Sequence, residues 1–253
     1  MRKANTHRAY GTGGSTDRGS QPTTGAPEYT RPMKLARGIE RRLENLVDGV
    51  SASVFRGTMH PVTIASRLVR QIDFLATETP AGTQIPNDLT VVINPTDLDP
   101  SIDVAELENE LAVVVTAGAL ENGWRLIGPV GVHLETSPDV PRGILQCAGD
   151  PMPGSLEPWG QLIALDGSVL IPLSMNRTLI GRALDADVRF SNSEISRHHA
   201  VVARRGDAVD ITDLGSSNGT WVNGDRTAKK PVTLLPGSTV SLGNIPFTYR
   251  LVS

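Results

Sequence analysis

Residues Leu179 to Asn223 read LIGRALDADVRFSNSEISRHHAVVARRGDAVDITDLGSSNGTWVN, and this stretch decides the fold of the carboxy-terminal half. Three clusters of loop-forming residues break its strand-like runs: Gly181-Arg182, then Ser196-Arg197-His198-His199, then Ser216-Ser217-Asn218-Gly219-Thr220. Each cluster offers donors without a balancing carboxylate: a guanidinium, hydroxyls, an amide, and main-chain N–H groups freed by glycine. Donors brought together by loops at one end of a β-sandwich make an anion site, and phosphate is the usual anion.

Around this stretch the sequence keeps a period of two from Gly160 onward. Leu162 to Leu165 and Val169 to Leu173 flank Asp166-Gly167, a strong hairpin signal. Val209 and Ile211 alternate with Asp210 and Thr212, and Asn223-Gly224 makes another tight turn. Val240 and Leu242, then Phe247, Tyr249 and Leu251, supply the inward faces of the last strands. Short strands with turn signals at intervals of about 8 to 12 residues describe a sandwich.

The succession GR, then SRxH, then SxNGT resembles the forkhead-associated (FHA) domain over roughly Gly160 to Ser253. That resemblance implies a β-sandwich that reads phosphothreonine in partner proteins. It implies that Arg182 and Ser196 contact the phosphate, with Ser217 and Arg197 as additional contacts, and that Asn218 holds the peptide main chain. Gly181, His199 and Gly219 match positions that shape the loops rather than touch the ligand. The sequence does not depart from the family pattern at these positions.

Elementary chemistry agrees. A phosphothreonine carries about −1.5 to −2 charge and three acceptor oxygens, which suits the planar fork of Arg182 better than a lysine point charge. Taken singly, Gly181 reads as a strand-end glycine, Asn218-Gly219 as a type I′ turn, and the two histidines as half-exposed strand residues. Three motifs in order outweigh those readings. Ser196, His199 and Asp213 are the residue types of a hydrolase triad, but no GxSxG elbow accompanies them. No catalytic residue is assigned.

The amino-terminal half reads differently. Residues 1–32 are rich in Gly, Thr, Ser and Arg with few large aliphatics, and are expected to form a disordered tail. Its Thr12, Thr16, Thr23, Thr24 and Thr30 are read as kinase acceptors that the FHA domain then recognises in cis or in trans. Residues 33–136 are expected to form a small α+β domain. Its helices run from Met33 to Asp48 and, after a strand at Ser51 to Phe55, from Pro61 with Ile64, Leu68, Ile72 and Leu75 as the buried stripe. Thr79 to Asn87 is expected as a loop and Asp88 to Asn94 as a strand. A third helix follows with Val104, Leu107, Leu111 and Val114 apolar and Asn122-Gly123 at its end, and a return strand spans Arg125 to Leu134. Asp97, Asp99 and Asp103 read as solvated capping acids, because the glycine and closing glutamate of a calcium loop are missing. His60 and His133 are isolated, so no metal site is expected.

Phe55-Arg56-Gly57, Pro61, Ile64-Ala65, Pro86-Asn87 and Gly128-Pro129-Val130 resemble the amino-terminal domain of actinobacterial FhaA-type proteins. This resemblance implies a partner in the cell-envelope machinery, such as a phosphorylated, membrane-attached pseudokinase region linked to a peptidoglycan-precursor flippase, with Ser/Thr kinases acting upstream. Between the domains, residues 137–159 hold five prolines and three glycines and are expected to be a flexible linker. A linker of that kind has an end-to-end distance of about 25 Å and lets the domains reorient independently. The FHA domain then occupies 160–253.

Charge bounds the partners. Residues 1–33 carry 5 basic and 2 acidic groups, 34–160 carry 9 and 17, and 161–253 carry 10 and 8. An acidic middle domain argues against nucleic acid, although helices on a small sheet resemble KH-type modules. The single Cys147 forms no intrachain disulfide and reads as an incidental thiol. No apolar run reaches a membrane span, and the basic amino terminus has no apolar h-region, so the expected location is cytoplasmic, with recruitment to the membrane only through a partner. The sequence therefore describes a multidomain protein with an α+β amino-terminal domain and an all-β FHA sandwich. Its expected function is a cofactor-free phosphothreonine adaptor in bacterial Ser/Thr-kinase signalling, and phosphate-independent scaffolding or dimerisation is the competing reading.

Overall fold

The computed structural model describes residues 59–252. The tail with its five threonines, the helix at Met33 to Asp48 and the strand at Ser51 to Phe55 lie outside the described residues.

Helix α1 spans Pro61–Leu75 and buries Ile64, Ala65, Leu68, Val69 and Ile72. Pro61 stands in its first turn, where its missing N–H costs nothing, and the Nδ1 of His60 accepts the freed Val62 N–H at 3.3 Å. His60, isolated in the sequence, is thus a helix cap. Thr77–Thr79 (β1) and Gly82–Gln84 (β2) pair as a short hairpin, so the loop expected from Thr79 to Asn87 is partly strand. Gly82, at φ 112°, makes its turn.

Strand β3, Asp88–Ile93, buries Leu89, Val91 and Ile93. It leads to helix α2, Val104–Asn122, which starts on the Asp103 carboxylate and ends at Gly123 in the left-handed region, φ 67°. Leu107, Leu111 and Val114 face inward, whereas Val104 at the helix start is exposed. The return strand begins later than expected, as β4 at Gly131–Thr136, and runs parallel to β3. Asp97 and Asp99 are buried rather than solvated. Asp99 Oδ1 accepts the Ser101 N–H and hydroxyl, and Asp97 Oδ2 accepts the Gly143 N–H.

The expected linker is only partly a linker. Leu145–Asp150 forms β5, antiparallel to β3 along its length, so the small sheet has the order β4-β3-β5. Helix α1 packs on β5 and α2 on β4. Cys147 stands in this strand opposite Val91, and burial pushes its thiol up to about 11. An unionised thiol there is a poor nucleophile.

The sandwich starts with the anticipated hairpin, β6 (Gly160–Ala164) and β7 (Leu170–Leu173). It continues through β8 (Arg177–Gly181), β9 (Val188–Arg189), β10 (Ala200–Arg205), β11 (Ala208–Asp213), β12 (Thr220–Val222), β13 (Asp225–Arg226), β14 (Val232–Thr233), β15 (Thr239–Leu242) and β16 (Ile245–Leu251). One sheet has the order β14-β11-β10-β8-β9 and the other β13-β12-β15-β16-β6-β7. Leu162, Leu173 and Phe247 of the second sheet meet Ile180, Val202 and Ile211 of the first in one buried core. Phe190 stands edge-on to Phe247 at 6.0 Å between ring centroids.

Strands β8 and β10 are buried on both faces, so their sequences LIG and AVVA lack alternation. One face meets the sandwich core. On the other, Leu179, Val201 and Ala203 cluster with Ala81 from the β1–β2 turn of the amino-terminal domain. The two domains are therefore in direct contact.

Gly149 offers a test of β5. A Cβ there would lie 2.6 Å from the Asp88 carbonyl oxygen and 2.7 Å from Leu89 Cδ2. Gly149→Ala is expected to lower stability by about 1 to 3 kcal/mol in thermal or urea denaturation, as overpacking does. In a flexible linker the same change would be neutral or slightly stabilising.

Candidate phosphate-binding site

The three sequence clusters stand on three loops: after β8, before β10, and between β11 and β12. Main-chain hydrogen bonds tie the first two together. Arg182 N donates to the Ser196 carbonyl and Ala183 N to the Arg197 carbonyl, each at 3.1 Å. This approach needs a glycine at 181, because a Cβ there would meet the Arg197 carbonyl oxygen at 2.0 Å.

The third loop joins through Ser196, whose Oγ accepts the Ser217 N–H at 3.0 Å. The hydroxyl hydrogen of Ser196 is left to donate. Ser217 and Asn218 are exposed, as are Arg182 and Arg197. Among the described residues, neither guanidinium enters an ion pair. The nearby carboxylates are engaged elsewhere. Glu194 accepts from Asn218 Nδ2 at 2.7 Å, and Asp185 bonds the His198 ring at 2.9 Å. With its amide N–H groups on Glu194, Asn218 has its Oδ1 left to accept a main-chain N–H.

His199 is fully buried behind these loops. Its Nδ1 accepts the Ser196 N–H at 3.1 Å and its Nε2 stands 3.2 Å from the Gly219 carbonyl. An N–H donor on one side and a carbonyl on the other set the neutral tautomer with the proton on Nε2. Burial lowers the imidazole pKa against smaller opposing effects of the Gly219 carbonyl and Asp213. The ring so bridges the second and third loops as a neutral strut.

Asp213 does the same within the third loop. Its Oδ1 accepts the Gly215 and Ser216 N–H groups, and its Oδ2 accepts the Ser216 hydroxyl at 2.5 Å and the Thr220 hydroxyl at 2.7 Å. Burial pushes this carboxyl up, but the bonds from Ser216, Thr220 and Gly215 outweigh it and hold the pKa below the usual range. Ser196, His199 and Asp213 thus make no relay: the imidazole bonds Ser196 through its main chain, and the carboxylate is spent on other groups.

Sequence reasoning missed several participants. Asp213 and Thr220 fix the third loop, and Glu194 holds Asn218. Arg226 lies against Gly219, where a Cβ would come within 2.6 Å of its Nε, and Lys229 lies against Gly215. The guanidinium of Arg226 sits over the Trp221 ring at 6.0 Å. Thr220 already stood in the third cluster without this role, and Trp221 and Arg226 had a signal in flanking the Asn223-Gly224 turn at hairpin spacing.

Among the described residues there is no cluster of three or more His, Cys, Asp or Glu able to hold a metal, and no helix is long and apolar enough to cross a membrane. His133, isolated in the sequence, has its Nε2 3.4 Å from Asp88 Oδ1 on the small sheet.

Parts of the chain are similar to known proteins. The family model for the FhaA N-terminal domain matches residues 37–148, and that for the FHA domain matches 178–243. The chain is similar to the transcriptional regulatory protein EmbR of Mycobacterium tuberculosis, 38% identical over 80 residues, which are 32% of this chain and 20% of EmbR. It is also similar to the oxoglutarate dehydrogenase inhibitor of Corynebacterium jeikeium, 36% identical over 32% of this chain and 51% of that protein. The chain thus spans about half or less of the length of these relatives. Among solved structures, the FhaA FHA domain complexed with the intracellular domain of Rv3910 is 30% identical, over 36% of this chain and 99% of that one, with a TM-score of 0.33.

The His199 environment predicts a pH dependence. A lowered folded-state pKa means that the unfolded chain binds the proton more readily, so stability rises with pH across this window. The contribution is complete above the ordinary histidine value of about 6.5 and is lost as the pH falls through the folded value. Melting temperatures measured between pH 7.5 and 5 should fall on the acid side, and His199→Asn should show a shallower slope.

Proposed function

We propose that this chain, which belongs to the FHA-domain proteins and carries an FhaA-type amino-terminal domain ahead of its sandwich, is a non-catalytic adaptor that binds partner proteins through phosphothreonine. The observation that carries the reading is the union of three loops on the Ser196 carbonyl and hydroxyl, with Arg182 and Arg197 exposed on those loops and in no ion pair among the described residues. Loops already joined bring these donors to one place before a dianion arrives.

In this reading Arg182, Ser196, Arg197 and Ser217 hold the phosphate and Asn218 Oδ1 accepts a peptide N–H. Gly181 and Gly219 permit the close loop packing, and His199 braces it. The threonine methyl group supplies the preference over phosphoserine. Its burial contributes about 0.8 kcal/mol, or about fourfold in affinity. Phosphothreonines written by Ser/Thr kinases are the ligands, whether on other proteins or on the Thr12, Thr16, Thr23, Thr24 and Thr30 segment of the same chain. The FhaA-type domain supports a place in cell-envelope regulation, on a membrane-attached, phosphorylated partner that recruits the chain from the cytoplasm.

Titration of the full chain with matched phosphothreonine, phosphoserine and unphosphorylated peptides from a degenerate library tests this. Phosphothreonine peptides should bind best, and Arg182→Ala should weaken them at least tenfold, because each charge-assisted bond contributes about 1.5 to 3 kcal/mol. Equal binding of all three, or of none, would overturn the reading and leave phosphate-independent scaffolding in its place.

A further inference from the structure

The loop that carries Arg182 is held at two ends. At its start, Arg182 and Ala183 donate to the Ser196 and Arg197 carbonyls. At its far end stands Asp187, immediately before β9. Asp187 Oδ2 accepts the Leu179 N–H of β8 at 2.7 Å, so the carboxylate closes the loop onto its own strand.

The same carboxylate leaves the domain. Arg125 meets it with both terminal nitrogens, Nη1 to Oδ2 and Nη2 to Oδ1, each at 2.7 Å. The two side chains are only 9% and 10% exposed, so solvent screens this pair weakly. Arg125 is itself fixed from the amino-terminal side. Its N–H donates to the Thr83 carbonyl, its carbonyl accepts the Ile85 N–H, and its Nε donates to Gln84 Oε1 at 3.0 Å. Its Nη1 also reaches the Arg177 carbonyl of β8 at 3.4 Å, and a lysine has no fork to replace these bonds.

A second contact between the domains differs in what it touches. Asn176 accepts the Leu126 N–H at 3.0 Å and donates to the Trp124 carbonyl at 2.6 Å. This clamp lies in the turn before β8 and contacts no residue of the Arg182 loop. Docking and loop anchoring are thereby separable.

We infer that Arg125 is a positioning residue for the phosphate site: the amino-terminal domain holds the Arg182 loop in its binding shape through the Arg125–Asp187 pair, and so sets phosphothreonine affinity. The inference rests on the phosphothreonine reading above. Coupling of this kind is reciprocal, so a ligand that moves the Gln84–Arg125 segment alters peptide affinity, and the peptide alters that ligand's affinity to the same degree.

The test uses the full chain and the phosphothreonine peptide that wild type selects from the library. Arg125→Lys keeps the charge and loses the fork, Asp187→Asn keeps the Leu179 acceptor and loses the charge, and Asn176→Ala opens the clamp alone. The first two are expected to weaken the peptide about tenfold and to speed hydrogen exchange at the Ala183 amide. Asn176→Ala should lower the melting temperature while leaving affinity within about twofold and Ala183 exchange unchanged. Wild-type affinity in both Arg125→Lys and Asp187→Asn would overturn the inference. So would losses in all three variants that simply track melting temperature. Absence of any phosphopeptide binding by wild type would instead remove the underlying reading, and this inference with it.

Discussion

A carboxylate taken out of water costs several kcal/mol unless its charge is answered, and two loops of this site hang from buried aspartates. Asp213 is answered by hydroxyls and amides of its own loop, and Asp187 by a guanidinium from another domain. Each arrangement converts an electrostatic penalty into shape. The loop between β11 and β12 has few other ways to close while all of Gly215, Ser216 and Thr220 point at one group. Loop tips usually lack burial to hold them; here a buried charge at the root supplies the restraint.

That inward use of charge decides what remains outside. The carboxylates nearest the exposed arginines are tied to an amide and an imidazole, Glu194 to Asn218 and Asp185 to His198. Neither is spent on Arg182 or Arg197. Exposed guanidiniums are well hydrated and cost the fold little, whereas an ion pair at the same place would have to be broken by each arriving ligand. The site is thus cationic without being self-satisfied. His199 contributes by staying neutral: a protonated ring would set a second N–H against the Ser196 donor and lose that bond within the second loop.

The sequence made the site visible because its chemistry is local. GR, SRxH and SxNGT each sit within one loop, and hairpins such as Leu162 to Leu173 are written in alternation and an Asp-Gly turn. What stayed hidden depends on distance or on missing periodicity. Nothing links Arg125 to Asp187, 62 residues apart, or Glu194 to Asn218, 24 residues apart, before the chain is folded. Strand β5 was read as linker because Leu145 is its only buried apolar residue, and its ladder to β3 holds it more than burial does. Prolines on either side completed the disguise. Asp97 and Asp99 looked solvated since a short polar loop gives no sign that later residues, Gly143 among them, will cover it.

The continuous burial of β8 and β10 shows how the second domain becomes part of the first domain's chemistry. A sandwich strand normally keeps one face wet, and sequence alternation records it. Here the outer face of the five-stranded sheet carries Leu179, Val201 and Ala203, small and apolar, and Ala81 covers them. Covering that face excludes water from the Arg125–Asp187 pair, which strengthens it and makes its loss expensive. Around it, Arg177 donates to the Ala81 carbonyl, and burial together with the neighbouring Arg205 and Arg125 charges lowers its own pKa. Three guanidiniums gathered at one seam repel one another, so the carboxylate of Asp187 and the carbonyls of Ala81, Trp124 and Arg177 are what hold it. An interface of that composition is selective about its geometry: a shift of a fraction of an ångström separates the fork from the carboxylate before it exposes much hydrophobic surface. Displacement of the Arg125 segment then reaches the loop even where the Asn176 clamp stays closed, and the amino-terminal domain acts on the phosphate loops without contributing a residue to them.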